Sequence, residues 1–276
     1  MQKITVPTPT KDNLTDQFIS LYQVLLEIIK GNDITFEFSR SEKIYPLITL
    51  PLCALIRDKS YKYLLAKSSV LKSNGINFPH GTNKIKATEY QIPIIFLSNK
   101  PTAQARDQLI GDFVEKLYTF MTPVAGVKDA IFHPISELIA NIFEHSHKDE
   151  GWAFAQLNSG KKCLDICIVD SGRGLRESYK QEKNFNISDA DAIGQVMIGN
   201  STKLYNERGY GVRSSKKLIC QGLKGSFLIF SGKAALIAES RDEELIELDK
   251  AIWNGVVLAY RIPLLKEPIN IYPYLE

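Results

Sequence analysis

Apolar residues recur at helical and strand periods along most of this chain. Phe18, Leu21, Leu25, Ile28 and Ile29 mark one side of a helix that reaches Lys30, with Asp12 or Thr15 as its cap. Gly31-Asn32-Asp33 ends it, and Ile34-Thr35-Phe36-Glu37-Phe38-Ser39 alternates strictly, the pattern of a half-buried strand. A helix follows over Pro46–Asp58, then another short piece over Tyr61–Ser69 and a turn-rich stretch from Ser73 to Thr88. Ile92–Leu97 reads as a strand whose Pro93 puts its start at a sheet edge, because proline donates no ladder hydrogen bond. Residues 1–11 are polar, carry Pro7 and Pro9, and read as a loose arm.

Ser98–Thr102 is the best linker, and it divides a small α/β region, 1–100, from a larger unit, 101–276. The larger unit opens with a helical pattern from Ala103 to Met121. Pro123 and Gly126 separate it from a second helix, where Ile135, Leu138, Ile139 and Ile142 form an apolar stripe at i, i+3, i+4, i+7. Trp152–Leu157 and Lys162–Val169 read as strands joined by Asn158-Ser159-Gly160. The stretch from Arg176 to Arg208 is irregular apart from one helix starting at Ser188 or Asp189. A helix over Val212–Cys220 and strands near Gly225–Ser231, Ala234–Ala238 and Val256–Ile262 complete the chain. Without regular βαβ alternation the expected class is α+β, with helices on one face of a mixed sheet.

Composition narrows the function without choosing one. The 276 residues carry a formal net charge of +3, with 44% hydrophobic and 24% charged residues, the profile of an ordinary globular protein. So even a balance argues against a nucleic-acid or anionic-membrane partner. The longest apolar run, Leu47–Ile56, is far short of the roughly 20 residues of a membrane span. Cys53, Cys163, Cys167 and Cys220 form no C-x-x-C pair, so reduced thiols and a cytoplasmic location are expected.

The chemistry gathers in three stretches. On the helix with the apolar stripe, Glu137, Asn141 and His145 fall one turn apart on the neighbouring side. Asp170-Ser171-Gly172-Arg173-Gly174-Leu175 directly follows a strand, where a carboxylate can accept from an exocyclic amino group and glycines allow close approach. Glu207-Arg208-Gly209-Tyr210-Gly211-Val212 opens a helix whose free N–H groups suit phosphate. Neither a Walker A loop nor the G-x-G-x-x-G dinucleotide fingerprint occurs.

In this order, E-L-x-x-N-x-x-x-H, then D-x-G-x-G-L, then a long segment, then G-x-G-V before a helix, the chain resembles the GHKL (histidine kinase-like) ATP-binding superfamily. That group includes gyrase-type topoisomerases, heat-shock chaperone ATPases, histidine kinases, MutL and the anti-sigma-factor serine kinases, and the spacing is nearest to the last. The similarity covers roughly Thr102–Leu265. It implies the Bergerat fold, a two-layer α/β sandwich, with ATP and Mg²⁺ as cofactors. By the same resemblance Glu137 is the catalytic base, Asn141 the magnesium ligand and Asp170 the adenine reader. Gly172 and Gly174 would line the base pocket, while Arg208, Gly209, Tyr210, Gly211 and Val212 would wrap the phosphates. His145 would approach the phosphates. Residues 176–208 would form a lid that brings Ser201, Thr202 or Lys203 to the nucleotide.

The chain departs from the family in two places. Val256 follows Gly255 where the family usually has serine or threonine, and no phospho-acceptor histidine hairpin is recognisable. The amino-terminal region resembles the STAS fold of anti-sigma antagonists but lacks an evident phosphorylatable serine motif. The leading expectation is a slow Mg-dependent ATPase that works as a nucleotide-driven switch on a regulatory protein partner, with a homodimer admitted. The alternatives are a serine/threonine protein kinase of anti-sigma type and a non-hydrolysing ATP sensor.

Overall fold

The computed structural model describes the chain except residues 1, 32, 39–42, 66–70, 72–76, 83–90, 99–101, 147, 149, 201–210, 240–241 and 276, and the side chains of 91, 103, 106, 144 and 145. Its amino-terminal part is a three-stranded parallel sheet of β1 (Gln2–Val6), β2 (Ile34–Phe38) and β3 (Lys62–Leu65) in that order. Helices α1 (Leu14–Ile28) and α2 (Pro46–Lys59) make the two crossovers that parallel pairing requires. The expected loose arm is therefore a strand over Gln2–Val6, which buries Ile4 and Val6 while Lys3 and Thr5 point out. Parallel pairing with β2 left no local turn signal to reveal it. The short piece after α2 is the strand β3. As the central strand, β2 is buried on both faces rather than one, with Thr35 as enclosed as Phe36.

The larger sheet has seven strands in the order β4-β5-β6-β10-β7-β8-β9. They are β4 (Gln91–Ser98), β5 (Glu150–Asn158), β6 (Cys163–Asp170), β7 (Ser226–Gly232), β8 (Ala234–Glu239), β9 (Asp242–Glu247) and β10 (Trp253–Pro263). Every neighbouring pair is antiparallel, so this sheet is not mixed as expected. Nor are its helices confined to one face. On β6, Leu164, Ile166 and Ile168 enter one apolar cluster and Cys167 and Val169 the other, and β7 and β10 divide in the same way. The first face is covered by α3 (Ala103–Tyr118) and α4 (Val127–His145), the second by α1 and α2. Lying between the two sheets, α2 is apolar nearly all round, which accounts for the longest apolar run in the chain.

β4 was expected in the amino-terminal region, but it is the edge strand of the large sheet, so residues 91–98 belong with the larger unit. Pro93 falls within a register shift between Ile92 and Ile95, an edge irregularity that spares the ladder a missing donor. At the opposite edge β9 escaped the sequence reading because Asp-Glu-Glu-Leu-Ile-Glu is charged and largely exposed. A charged edge discourages pairing with another chain.

A buried ionic cluster fastens the two parts together. The Arg261 guanidinium on β10 forks onto Asp165 on β6 at 2.5 and 2.8 Å and donates to the Asp12 carbonyl and carboxylate at 2.6 and 2.7 Å. Burial alone would push the Asp12 carboxyl up; Arg261, Asn158 and Lys43 outweigh it and hold the group below its ordinary value. Asp12 is thus committed to Arg261, and Asn13 caps α1 by accepting from the Asp16 amide at 2.7 Å.

Candidate functional site

α4 places the first stretch as its periodicity predicts. Ile135, Leu138, Ile139 and Ile142 are buried against the sheet, while Glu137 and Asn141 sit half-buried on the adjoining side. The helix ends at His145, whose side chain lies outside the described residues, and the buried Ser146 follows as its C-cap.

Asp170 ends β6, paired in register with Val256 of β10. Its carboxyl is only 3% exposed. The Gly172 amide donates to Oδ1 at 2.8 Å, the Val256 amide also donates, and the Trp253 indole N–H holds the Asp170 carbonyl at 2.9 Å. Burial nevertheless dominates and pushes the carboxyl up to about 7; the two amides and Lys148 act against it. Two glycines make this enclosure feasible. A Cβ on Gly172 would lie 2.3 Å from the Ser146 carbonyl oxygen, and the Arg173 amide donates to that same carbonyl at 3.1 Å. Gly255, at φ +111°, leaves space that a Cβ would fill at 2.3 Å from the Asp170 carbonyl oxygen and 2.7 Å from Oδ1. In the sequence Gly255 stands out only as the residue before Val256, yet it shapes the pocket around the carboxylate.

The segment after Asp170 is more regular than expected. α5 (Gly174–Lys183) starts at once, and α6 (Asp189–Met197) follows, with Ser188 and Asp191 forming a capping box. Gly211 opens α7 (Gly211–Lys217), which runs on into a π-turn over Leu218–Gly222.

These elements line one pocket, open to solvent on one side. Asn141, Asp170, Gly174, Gly211 and Val212, all expected at the site, line it together. Its remaining wall is largely apolar: Leu138 and Ile142 from α4, Leu175 from α5, Val196 from α6, and Ile168, Ile229, Val256 and Leu258 from the sheet. Ser146, Ser178 and Tyr179 also line it and were not foreseen. Leu175, Ser178 and Tyr179 fall at i, i+3, i+4 in the sequence, a helical signal lost when the segment is read as irregular. Gly172 acts from behind, through its amide on Asp170. Glu137 stands at the α7 end, where a Cβ on Gly211 would come 2.3 Å from its Oε2. Thr202, Lys203, Arg208, Gly209 and Tyr210, together with Ser201, lie outside the described residues.

His133, one turn before Glu137, brings Nε2 to 3.4 Å from the Ser214 hydroxyl of α7. Burial holds its pKa below the ordinary value against the opposing pull of Glu137, which leaves the ring neutral at pH 7. Among the described residues no group of three or more His, Cys, Asp or Glu could hold a metal, and no helix is long and apolar enough to cross a membrane.

No family model and no curated protein sequence matches this chain. The chemistry of the pocket is therefore read from its own residues. It offers a largely apolar wall with the buried Asp170 carboxylate, the Asn141 amide and the first residues of α7, beside which the Glu137 carboxylate stands.

Proposed function

We propose that this chain binds Mg-ATP in a Bergerat-type pocket, as the GHKL-like motif order implies, and hydrolyses it slowly as a nucleotide-driven switch. One observation carries the reading: Asn141, Asp170, Gly174 and Gly211, from stretches far apart in the chain, line a single pocket. The pocket between α4 and the ends of β6 and β10 supports the Bergerat assignment, whereas the all-antiparallel sheet, covered by helices on both faces, departs from the two-layer form it implies.

In this reading Asp170 accepts from the purine amino group, and the apolar walls sandwich the ring. The Asn141 amide oxygen, a hard donor at the pocket wall, fits a magnesium ion that takes its other ligands from phosphate and water. The ion compensates the crowded phosphate charge when bound. Glu137, beside the first residue of α7, would in this reading orient and deprotonate an attacking water.

The test is ATP binding and phosphate release, with and without Mg²⁺, on the parent and on Glu137→Ala. Binding by both proteins with release by the parent alone supports the switch. Label on a serine of an added partner protein, in place of phosphate release, would make the chain a protein kinase. Val256 lining the wall, where the family carries a hydroxyl, favours the sensor alternative, and ATP binding with no turnover in the parent would establish it. If the parent does not bind ATP, the assignment fails.

A further inference from the structure

We propose that Tyr179 is a positioning residue that couples the base-binding end of the pocket to helix α7 through the corner Ile198–Asn200. The inference rests on reading this pocket as an ATP site.

Tyr179 is 1% exposed and is one of the residues that line the pocket. It belongs to α5, the helix that begins four residues after Asp170, and it stacks on Phe185 with centroids 6.5 Å apart. Its hydroxyl does not serve the pocket. It donates to the carbonyl of Asn200, just past the end of α6. Burial pushes the phenol pKa up, so the group is a donor throughout the neutral range.

The corner it reaches is held from three sides. The Ile198 amide donates to the Gly194 carbonyl at 3.1 Å, and the Gly199 amide to Val196 at 3.1 Å, with Gly199 at φ +83°. The Asn200 amide and side chain both return to Gln195, at 2.9 and 2.5 Å. From the far side Arg213 donates through Nη1 to the Ile198 carbonyl at 3.1 Å. Arg213 lies two residues inside α7 from Gly211, which itself lines the pocket.

One short corner thus receives a hydrogen bond from the pocket wall and another from the helix that faces the nucleotide's anionic end. Val196, on the last turn before the corner, is also in the wall. A ring that presses on Tyr179 and Val196 sets the corner, and the corner sets Arg213 and the start of α7. Carriers of coupling with this form are packed side chains and hydrogen bonds in contiguous contact.

The isosteric variant Tyr179→Phe keeps the ring and removes only the donor. Adenosine occupies the base end alone, and ATP occupies both. Tyr179→Phe is expected to change adenosine affinity by less than about twofold and to weaken ATP by about tenfold, the order of one buried hydrogen bond. Arg213→Met is expected to lower the same ATP-over-adenosine preference. Because both act through one corner, the double variant should lose no more than the worse single. An unchanged preference in Tyr179→Phe overturns the proposal. So does an equal loss for both ligands, which marks a merely structural role, and so does full additivity of the two variants. Failure of the parent to bind either ligand is a different result and overturns the pocket reading itself.

Discussion

Asp170→Asn tests the site at its most enclosed atom. The substitution keeps size and shape but replaces one carboxylate oxygen with an amide nitrogen. The Gly172 amide, 2.8 Å from Oδ1, and the Val256 amide both donate to the carboxylate and hold the oxygen that remains, so the site loses an acceptor and gains an N–H donor. A purine amino group then meets a donor instead of an acceptor. Loss of a charge-assisted hydrogen bond costs about 1.5–3 kcal/mol, or about 10- to 150-fold in Kd. Stability should move the other way. The Asp170 carboxyl is raised from 3.8 to about 7, so the stability it contributes is complete below pH 4 and is lost as pH rises through 7. At about 1.4 kcal/mol per pH unit that amounts to about 4 kcal/mol. The asparagine variant escapes this loss, so its Tm should match the parent's near pH 4 and exceed it by several degrees at pH 8. Bound nucleotide favours the carboxylate, so the parent's ATP affinity should rise with pH up to about 7 and then level off. Calorimetric titration at pH 6, 7 and 8 with parallel melting curves reads all of this. A folded Asp170→Asn that binds ATP as the parent does would refute the reasoning.

Glu137→Gln should retain ATP within about threefold yet lose phosphate release by at least about 100-fold, the range a general base supplies, in a single-turnover assay. Gly255→Ala puts a Cβ 2.3 Å from the Asp170 carbonyl oxygen at φ +111°, and should cost about 2–3 kcal/mol in denaturant unfolding as well as ATP affinity. Arg261→Met leaves the buried Asp165 carboxylate and the half-buried Asp12 carboxylate facing an apolar chain, and should cost about 3 kcal/mol, read as a fall in the urea midpoint. A fragment beginning at residue 101 lacks β4 and the α1–α2 cover over Trp152, Cys167 and Val169, and should precipitate or bind an apolar dye, whereas the full chain should not.

Elements whose periodicity is set by one buried side were legible from the sequence. α4 falls within its expected stretch, and Pro46 and Asp58 bracket α2 to within a residue. Where burial came from both sides, the signal misled. The alternation of Leu164, Ile166 and Ile168 with Cys163, Asp165 and Cys167 resembles a half-exposed strand, but Asp165 is buried against Arg261 and Cys167 against the amino-terminal helices. No residue of β6 says which partner covers its second face, because that partner lies more than 100 residues away in the chain. The same blindness placed β4 with the wrong sheet. A strand records its own burial but not the identity of its neighbour.

The site followed a similar rule. Asn141 and Asp170, which line one pocket, stand out in the sequence as an amide beside an apolar helix stripe and a carboxylate at a strand end before two glycines. The pocket walls do not, because Leu175, Val196, Val256 and Tyr179 are ordinary core residues until a helix turns them towards a cavity. Gly255 shows where the boundary lies. Its positive φ and the lack of room for a Cβ beside Asp170 exist only once β6 and β10 are paired in register, Val256 against Asp170. The carboxylate's elevated pKa is a consequence of that same pairing, since the carboxyl is buried where β6 and β10 meet, on the face it shares with Ile168. The chemistry of Asp170 is therefore a property of the strand pair and not of one motif, and a change that loosens β10 from β6 at Val256 should let water reach the carboxyl and lower its pKa.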